Sequence, residues 1–123
     1  MASRVRDFQD LAVWQRAHAL TLQVLRATAG FPRELRFELT SQLRRAVVSI
    51  PSNIAEGHAR RASRAFASFL DIAVGSAAET TYLLLLARDL GHLPREDYAP
   101  LAQEAVELRR MLSALRRKIE AGR

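Results

Sequence analysis

Apolar residues recur at three- and four-residue intervals along almost the whole chain. The clearest series is Leu101, Ala105, Leu108, Leu112, Leu115 and Ile119, whose intervals alternate four and three, the spacing of one face of a helix. From about Phe8 to Thr28, Leu11, Trp14, His18, Thr21, Leu25 and Thr28 form one seam. Val13, Ala17, Leu20, Val24 and Ala27 form a second seam beside it, and Gly30 and Pro32 stop this helix. A second helix is predicted from about Arg33 to Glu56, with Leu39, Leu43, Ala46, Ile50 and Asn53 as its seam. Pro51 should bend it and Gly57 should end it.

For a third helix Ser63 is the candidate N-cap, its hydroxyl accepting from a free backbone N–H. Its main seam is Phe66, Phe69, Ala73, Ser76, Thr80, Leu83, Ala87 and Leu90, flanked by Leu70, Val74, Ala77, Leu84 and Leu85. Gly75 and Ser76 predict close helix approach, and Gly91 supplies the stop. The fourth helix either begins at Pro100, where a missing N–H costs nothing, or is bent in its first turn. Short connections make neighbours antiparallel. The expected fold is all-α, an up-down-up-down antiparallel four-helix bundle over residues 8–121, with residues 1–7 as a flexible N-terminus. Two apolar seams on the first and third helices exceed the single stripe a four-helix core covers, which predicts a homo-oligomer. The competing account places those helices centrally, with alanines filling their flanks.

The run from Arg45 to Gly57 is unusual for a helix, because Pro51 removes a backbone donor in mid-helix at a cost of about 3 kcal/mol. Ser49, Asn53 and Glu56 follow at intervals of four and three, so they share one face. As structure, Asn53 and Glu56 hydrogen-bond the backbone that Pro51 frees, or pair with Arg45, Ser49, Ser76 or Glu79 across the bundle. As function, the pair would grip a ligand at a helix bend. The structural reading is favoured.

Composition narrows the chemistry. A chain of 123 residues is long enough for one core and too short for two. It has no cysteine, which excludes disulfides, thiolate nucleophiles and cysteine metal sites. His18, His58 and His92 lie on different elements without metal-ligand spacing. No phosphate-binding glycine loop, nucleophile elbow or carboxylate pair is present, so the expectation is a protein that is not an enzyme and uses no cofactor or metal. No signal peptide is visible, and the apolar run at Tyr82–Ala87 is far shorter than the ~20 residues of a membrane span. A cytoplasmic protein with no membrane partner follows as the default.

The net charge is +6, and it is concentrated. Residues 57–64 carry Arg60, Arg61 and Arg64 with no acid, which is +3. Residues 109–123 carry Arg109, Arg110, Arg116, Arg117, Lys118 and Arg123 against Glu120, which is +5, leaving −2 for the remainder. Such patches suit RNA or DNA phosphates, which guanidinium groups meet with two parallel bonds. The competing account of residues 57–64 is a solvated loop whose arginines pair with nearby acids. The aromatic residues are committed to helix seams, which argues for duplex or structured nucleic acid over single strands.

Particular blocks are similar to a known family. Asp10-Leu11-Ala12-Val13-Trp14-Gln15, Phe31-Pro32, the run from Arg45 to Gly57, and Phe69-Leu70-Asp71-Ile72-Ala73-Val74-Gly75-Ser76 with Glu79 occur in order, followed by Leu86 to Gly91. Together they resemble the small bacterial four-helix-bundle proteins encoded in intervening sequences of 23S ribosomal RNA genes. Those are related to the accessory variability proteins of diversity-generating retroelements. The resemblance implies a four-helix bundle assembled as a pentamer, and it offers a reverse transcriptase as a candidate partner. The resulting expectation is a non-enzymatic oligomer that contacts nucleic acid through arginine patches. Its rival is a protein–protein adaptor or structural oligomer whose basic surface meets an acidic protein.

Overall fold

The computed structural model describes residues 7–122. The expected flexible N-terminus lies almost wholly outside them, as do Arg4, Arg6 and Arg123. Four α-helices make up the body: α1 (Ala12–Ala27), α2 (Ser41–Ala59), α3 (Ser63–Asp89) and α4 (Arg95–Ala121). A 3₁₀ turn (Phe8–Asp10) precedes α1. A second 3₁₀ turn (Arg33–Leu35) and a five-residue π-helix (Arg36–Thr40) lead into α2.

Contacts near the helix ends show the antiparallel order. Arg44, early in α2, reaches Thr28 and Leu25 at the end of α1. Gly57, late in α2, meets Phe66 and Phe69 at the start of α3. Arg116, late in α4, bonds Asp71 early in α3. The expected up-down-up-down bundle is therefore present. α3 is the central helix, packed against both α2 and α4. It is also long and apolar enough by composition to cross a bilayer, but Leu70, Ala73, Ala77, Leu83, Leu84 and Ala87 are buried inside the bundle.

The core is a single cluster centred on Leu20, Val24, Leu39, Leu43, Ile50, Ile54, Leu70, Leu84, Leu108 and Leu112. The seam expected on α4 is buried from Leu101 to Leu112, with Leu115 and Ile119 partly covered. On α1 the two seams change rank. Val13, Ala17, Leu20 and Val24 are buried, whereas Trp14 is half-buried and His18 is exposed, its ring stacked on Trp14 at 4.9 Å.

Four expected boundaries move. Helix two does not start as an α-helix at Arg33, because the 3₁₀ and π turns come first. Nor does Gly57 end it, since α2 continues to Ala59. Gly57 is instead a contact residue: a Cβ there would lie 2.6 Å from the Cβ of Phe69 and 3.0 Å from a ring carbon of Phe66. The N-cap of α3 is Ala62, so Ser63 is its first helical residue and provides no cap bond. α4 begins at Arg95, ahead of Pro100, with Pro94 at its N-cap. Gly75, expected at a close approach, has open space where its Cβ would be.

Gly91 stops α3 as expected, with φ +83° in the left-handed region and open space where a Cβ would lie. Gly91→Ala is therefore expected to cost about 1 kcal/mol through backbone conformation alone. Urea denaturation of the two proteins measures it, and an unchanged midpoint would contradict that account.

Candidate nucleic-acid interface

The arginines of residues 57–64 and the last bases of α4 lie at the same end of the bundle. The turn between α2 and α3 carries Arg60 and Arg61, and Arg64 opens α3. Arg61 takes φ 56°, a left-handed conformation uncommon outside glycine. This turn lies against the last turns of α4, where Gly57, His58, Arg61, Ser63, Phe66 and Ile119 line one shallow cleft.

The bases at this end divide by their partners. Arg116 donates to both Asp71 oxygens at 2.7 and 3.0 Å and pairs with Glu120 at 2.7 Å. The bond to Asp71 and then that to Glu120 push its pKa above the ordinary arginine value. Arg60 pairs with Glu56 at 3.0 Å and stands over the Phe69 ring at 5.1 Å. The pairs are solvated, so each adds little to stability. Their effect on the site is larger, because Glu56, Asp71 and Glu120 are occupied by Arg60 and Arg116. Arg61, Arg64, Arg117 and Lys118 are exposed, and their side chains make no ion pair or hydrogen bond among the described residues. The amino end of α3, uncapped by any side chain, adds unpaired N–H groups and the positive end of a helix dipole.

Arg109 and Arg110 stand apart. Lys118 is eight and nine residues further along α4, a rise of roughly 12–14 Å at 1.5 Å per residue. Arg110 lines a different cleft, with Thr81, Tyr98 and Glu107.

The polar residues around Pro51 divide between two networks. Asn53 Nδ2 donates to Ser49 O at 2.8 Å and Ser49 Oγ at 2.9 Å, and Ser49 Oγ meets Ser76 Oγ at 2.8 Å across α2 and α3. Arg45, Ser49, Ser76 and Glu79 line an open cleft of about 500 Å³ between these helices. Glu56 takes no part and faces Arg60 instead. The carbonyl that Pro51 leaves without its intrahelical donor belongs to Val47. Neither Asn53 nor Glu56 serves it: the hydroxyl of Thr21 on α1 lies 3.2 Å away and is also 2.8 Å from Ala17 O. Sequence reasoning placed Thr21 on a seam and missed this role.

It also missed a third group of bases. Arg33, Arg36 and Arg44 line one pocket at the opposite end of the bundle. Acids at positions 34 and 38 had concealed them in the charge count. Among the described residues there is no group of three or more His, Asp or Glu side chains placed to hold a metal ion.

These features define a basic, cysteine-free four-helix bundle with unpaired bases at both ends, four of them gathered where α2, α3 and α4 meet. The chain belongs to the 23S rRNA-intervening sequence protein family, whose pattern matches residues 9–114. A solved structure of similar fold is a Bacteroides thetaiotaomicron protein of unknown function from the S23 ribosomal protein family. It is 22% identical, covering 85% of this chain and 97% of that one, with a TM-score of 0.76. At that identity the likeness speaks for fold alone. No curated protein matches the chain.

Proposed function

We propose that this protein is a non-enzymatic accessory protein that works as a homo-oligomer and binds structured RNA or duplex DNA through phosphate contacts. The observation that carries this reading is the unpaired quartet Arg61, Arg64, Arg117 and Lys118 at one end of the bundle. Four exposed cations beside an uncapped helix start suit a phosphate backbone. Arg60 and Arg116 brace the surface by neutralising its acids. The family's description ties its members to an rRNA-intervening sequence, so structured RNA is the first probe. Assembly is supported by apolar surface left on α2, α3 and the segment before α2. Val48, Phe37, Ile72 and Tyr82 are exposed, and Ile72, Gly75, Glu79 and Tyr82 follow one helical stripe. Several copies would multiply the basic ends and steepen the response to salt.

The test is fluorescence anisotropy with structured RNA, duplex DNA and single strands across a salt series, beside an Arg61→Gln/Arg64→Gln variant of matched oligomeric state. The variant is expected to bind about tenfold more weakly, with its log–log salt slope reduced by about 2. Equal binding by the variant would remove the site from this turn. No binding at low salt by folded, assembled protein would overturn the reading in favour of an adaptor with an acidic protein partner.

A further inference from the structure

We propose that the corner between α1 and α2 is a second, separate site, specific for a phosphate monoester dianion held by Arg33, Arg36 and Arg44 with the hydroxyl of Thr40. It lies at the end of the bundle remote from Arg61 and does not depend on the nucleic-acid reading.

Three arginines from three successive elements line one pocket: Arg33 from the 3₁₀ turn, Arg36 from the π-helix and Arg44 from α2. No carboxylate lines it. Arg44 is held in place, since its Nε donates to Thr28 Oγ1 at 2.8 Å and one terminal nitrogen donates to Leu25 O at 3.0 Å. Thr28 gives its own proton to Val24 O at 2.9 Å, so it positions Arg44 and is no donor to a ligand. Three of the five guanidinium N–H groups of Arg44 remain free. Arg33 and Arg36 form no ion pair among the described residues. Arg36 stands over the Phe37 ring at 4.9 Å.

Thr40 supplies an independent observation. The residue lines the same pocket, and its Oγ1 is buried with no hydrogen-bond partner. A buried hydroxyl without a partner costs about 1–3 kcal/mol, and native proteins rarely leave one unexplained. Thr40 closes the π-helix Arg36–Thr40, a rare geometry enriched at functional sites. An oxyanion seated among the arginines gives that hydroxyl an acceptor.

Opposing charges are present and weaker. The carboxyl end of α1 faces this corner with its negative dipole, and Arg44 already answers part of it through Leu25 O. Glu34 and Glu38 are exposed and lie outside the pocket lining. Size selects the ligand class. The pocket holds about 200 Å³, room for a terminal phosphate group but below the ~300–1,000 Å³ of pockets that enclose whole drug-sized molecules. Three cations favour a dianion over the single charge of a diester.

The experiment is an amide-resolved NMR titration of the whole chain at constant ionic strength. Inorganic phosphate and a nucleoside 5′-monophosphate are the first arms; a short RNA with and without a 5′-phosphate is the second. Saturable shifts centred on residues 28–44 are expected, with Kd about 1 mM or tighter. Arg33→Gln/Arg36→Gln should weaken binding at least about tenfold, as expected for lost charge-assisted bonds. Thr40→Val should weaken binding while leaving the ligand-free protein as stable or more stable, a pairing that a purely structural threonine would not give. Arg61→Gln/Arg64→Gln should bind phosphate as the parent does. Preference for the 5′-phosphorylated RNA over free phosphate would name a strand end as the source, and equal binding would name the small ion or monoester. Shifts without saturation to about 20 mM, shifts centred on residues 57–64, or undiminished affinity in the Arg33/Arg36 variant would each overturn the proposal.

Discussion

Gly57→Leu is expected to lower the melting temperature by about 10 °C or more, taking roughly 3 kcal/mol of overpacking and a few degrees per kcal/mol for a domain of this size. The reason lies where α2 and α3 cross. A Cβ at position 57 falls 2.6 Å from the Cβ of Phe69, an atom fixed to the α3 backbone that cannot swing aside. Relief requires the two helices to move apart, and these are the helices on which most of the core depends. Gly57→Ala is the sharper test, because two effects oppose each other. Alanine improves helix propensity by at most about 1 kcal/mol in this last turn of α2, whereas the contact at 2.6 Å demands a backbone shift. The contact should win, leaving the alanine variant less stable than the parent. Thermal melts of the three proteins decide it, and an alanine variant as stable as the parent would show that the crossing yields freely.

Thr21→Val is expected to cost about 1–3 kcal/mol in the parent and much less when Pro51 is also replaced by alanine. In the parent, Val47 O has no amide donor from position 51, and the Thr21 hydroxyl at 3.2 Å is its cross-helix partner. Valine keeps the volume and removes the proton. In Pro51→Ala the restored N–H can reach Val47 O, so the hydroxyl becomes redundant there. Urea denaturation of the four proteins gives the coupling, expected at about 1 kcal/mol. Equal costs in both backgrounds, within about 0.3 kcal/mol, would mean that Thr21 does not serve that carbonyl.

The sequence carried much of this bundle, unevenly. α4 was legible because it has one apolar stripe against a polar remainder. α1 was harder, since two stripes compete and period alone cannot say which meets the other helices. The stacking of His18 on Trp14 decides the matter only in three dimensions. Gly57 was misread for a simple reason: glycine ends helices and also lets helices touch, and local sequence does not distinguish the two. Residues 33–40 have the pattern of ordinary helix, because the π-helix keeps apolar Leu39 on a plausible period. The basic ends of α2 and α4 were found separately, and their meeting follows from the antiparallel order. Which bases stay unpaired was not legible, because Asp71 reaches Arg116 from 45 positions away. The Arg33–Arg36–Arg44 pocket escaped because Glu34 and Glu38 cancel its charge along the chain but not in space.

Proline in α2 has one more consequence. Apolar seams repeat every turn, so two helices joined only by leucine and alanine can slide past one another by 5.4 Å and recover similar packing. The Thr21–Val47 bond removes that freedom. One turn away on α1 stand Ala17 and Leu25, neither of which has a hydroxyl to offer. A slipped pairing would strand the Val47 carbonyl in the core with no donor from either helix. The residue that weakens α2 locally thus acts as a key, and within one turn either way α1 has one slot that fits it.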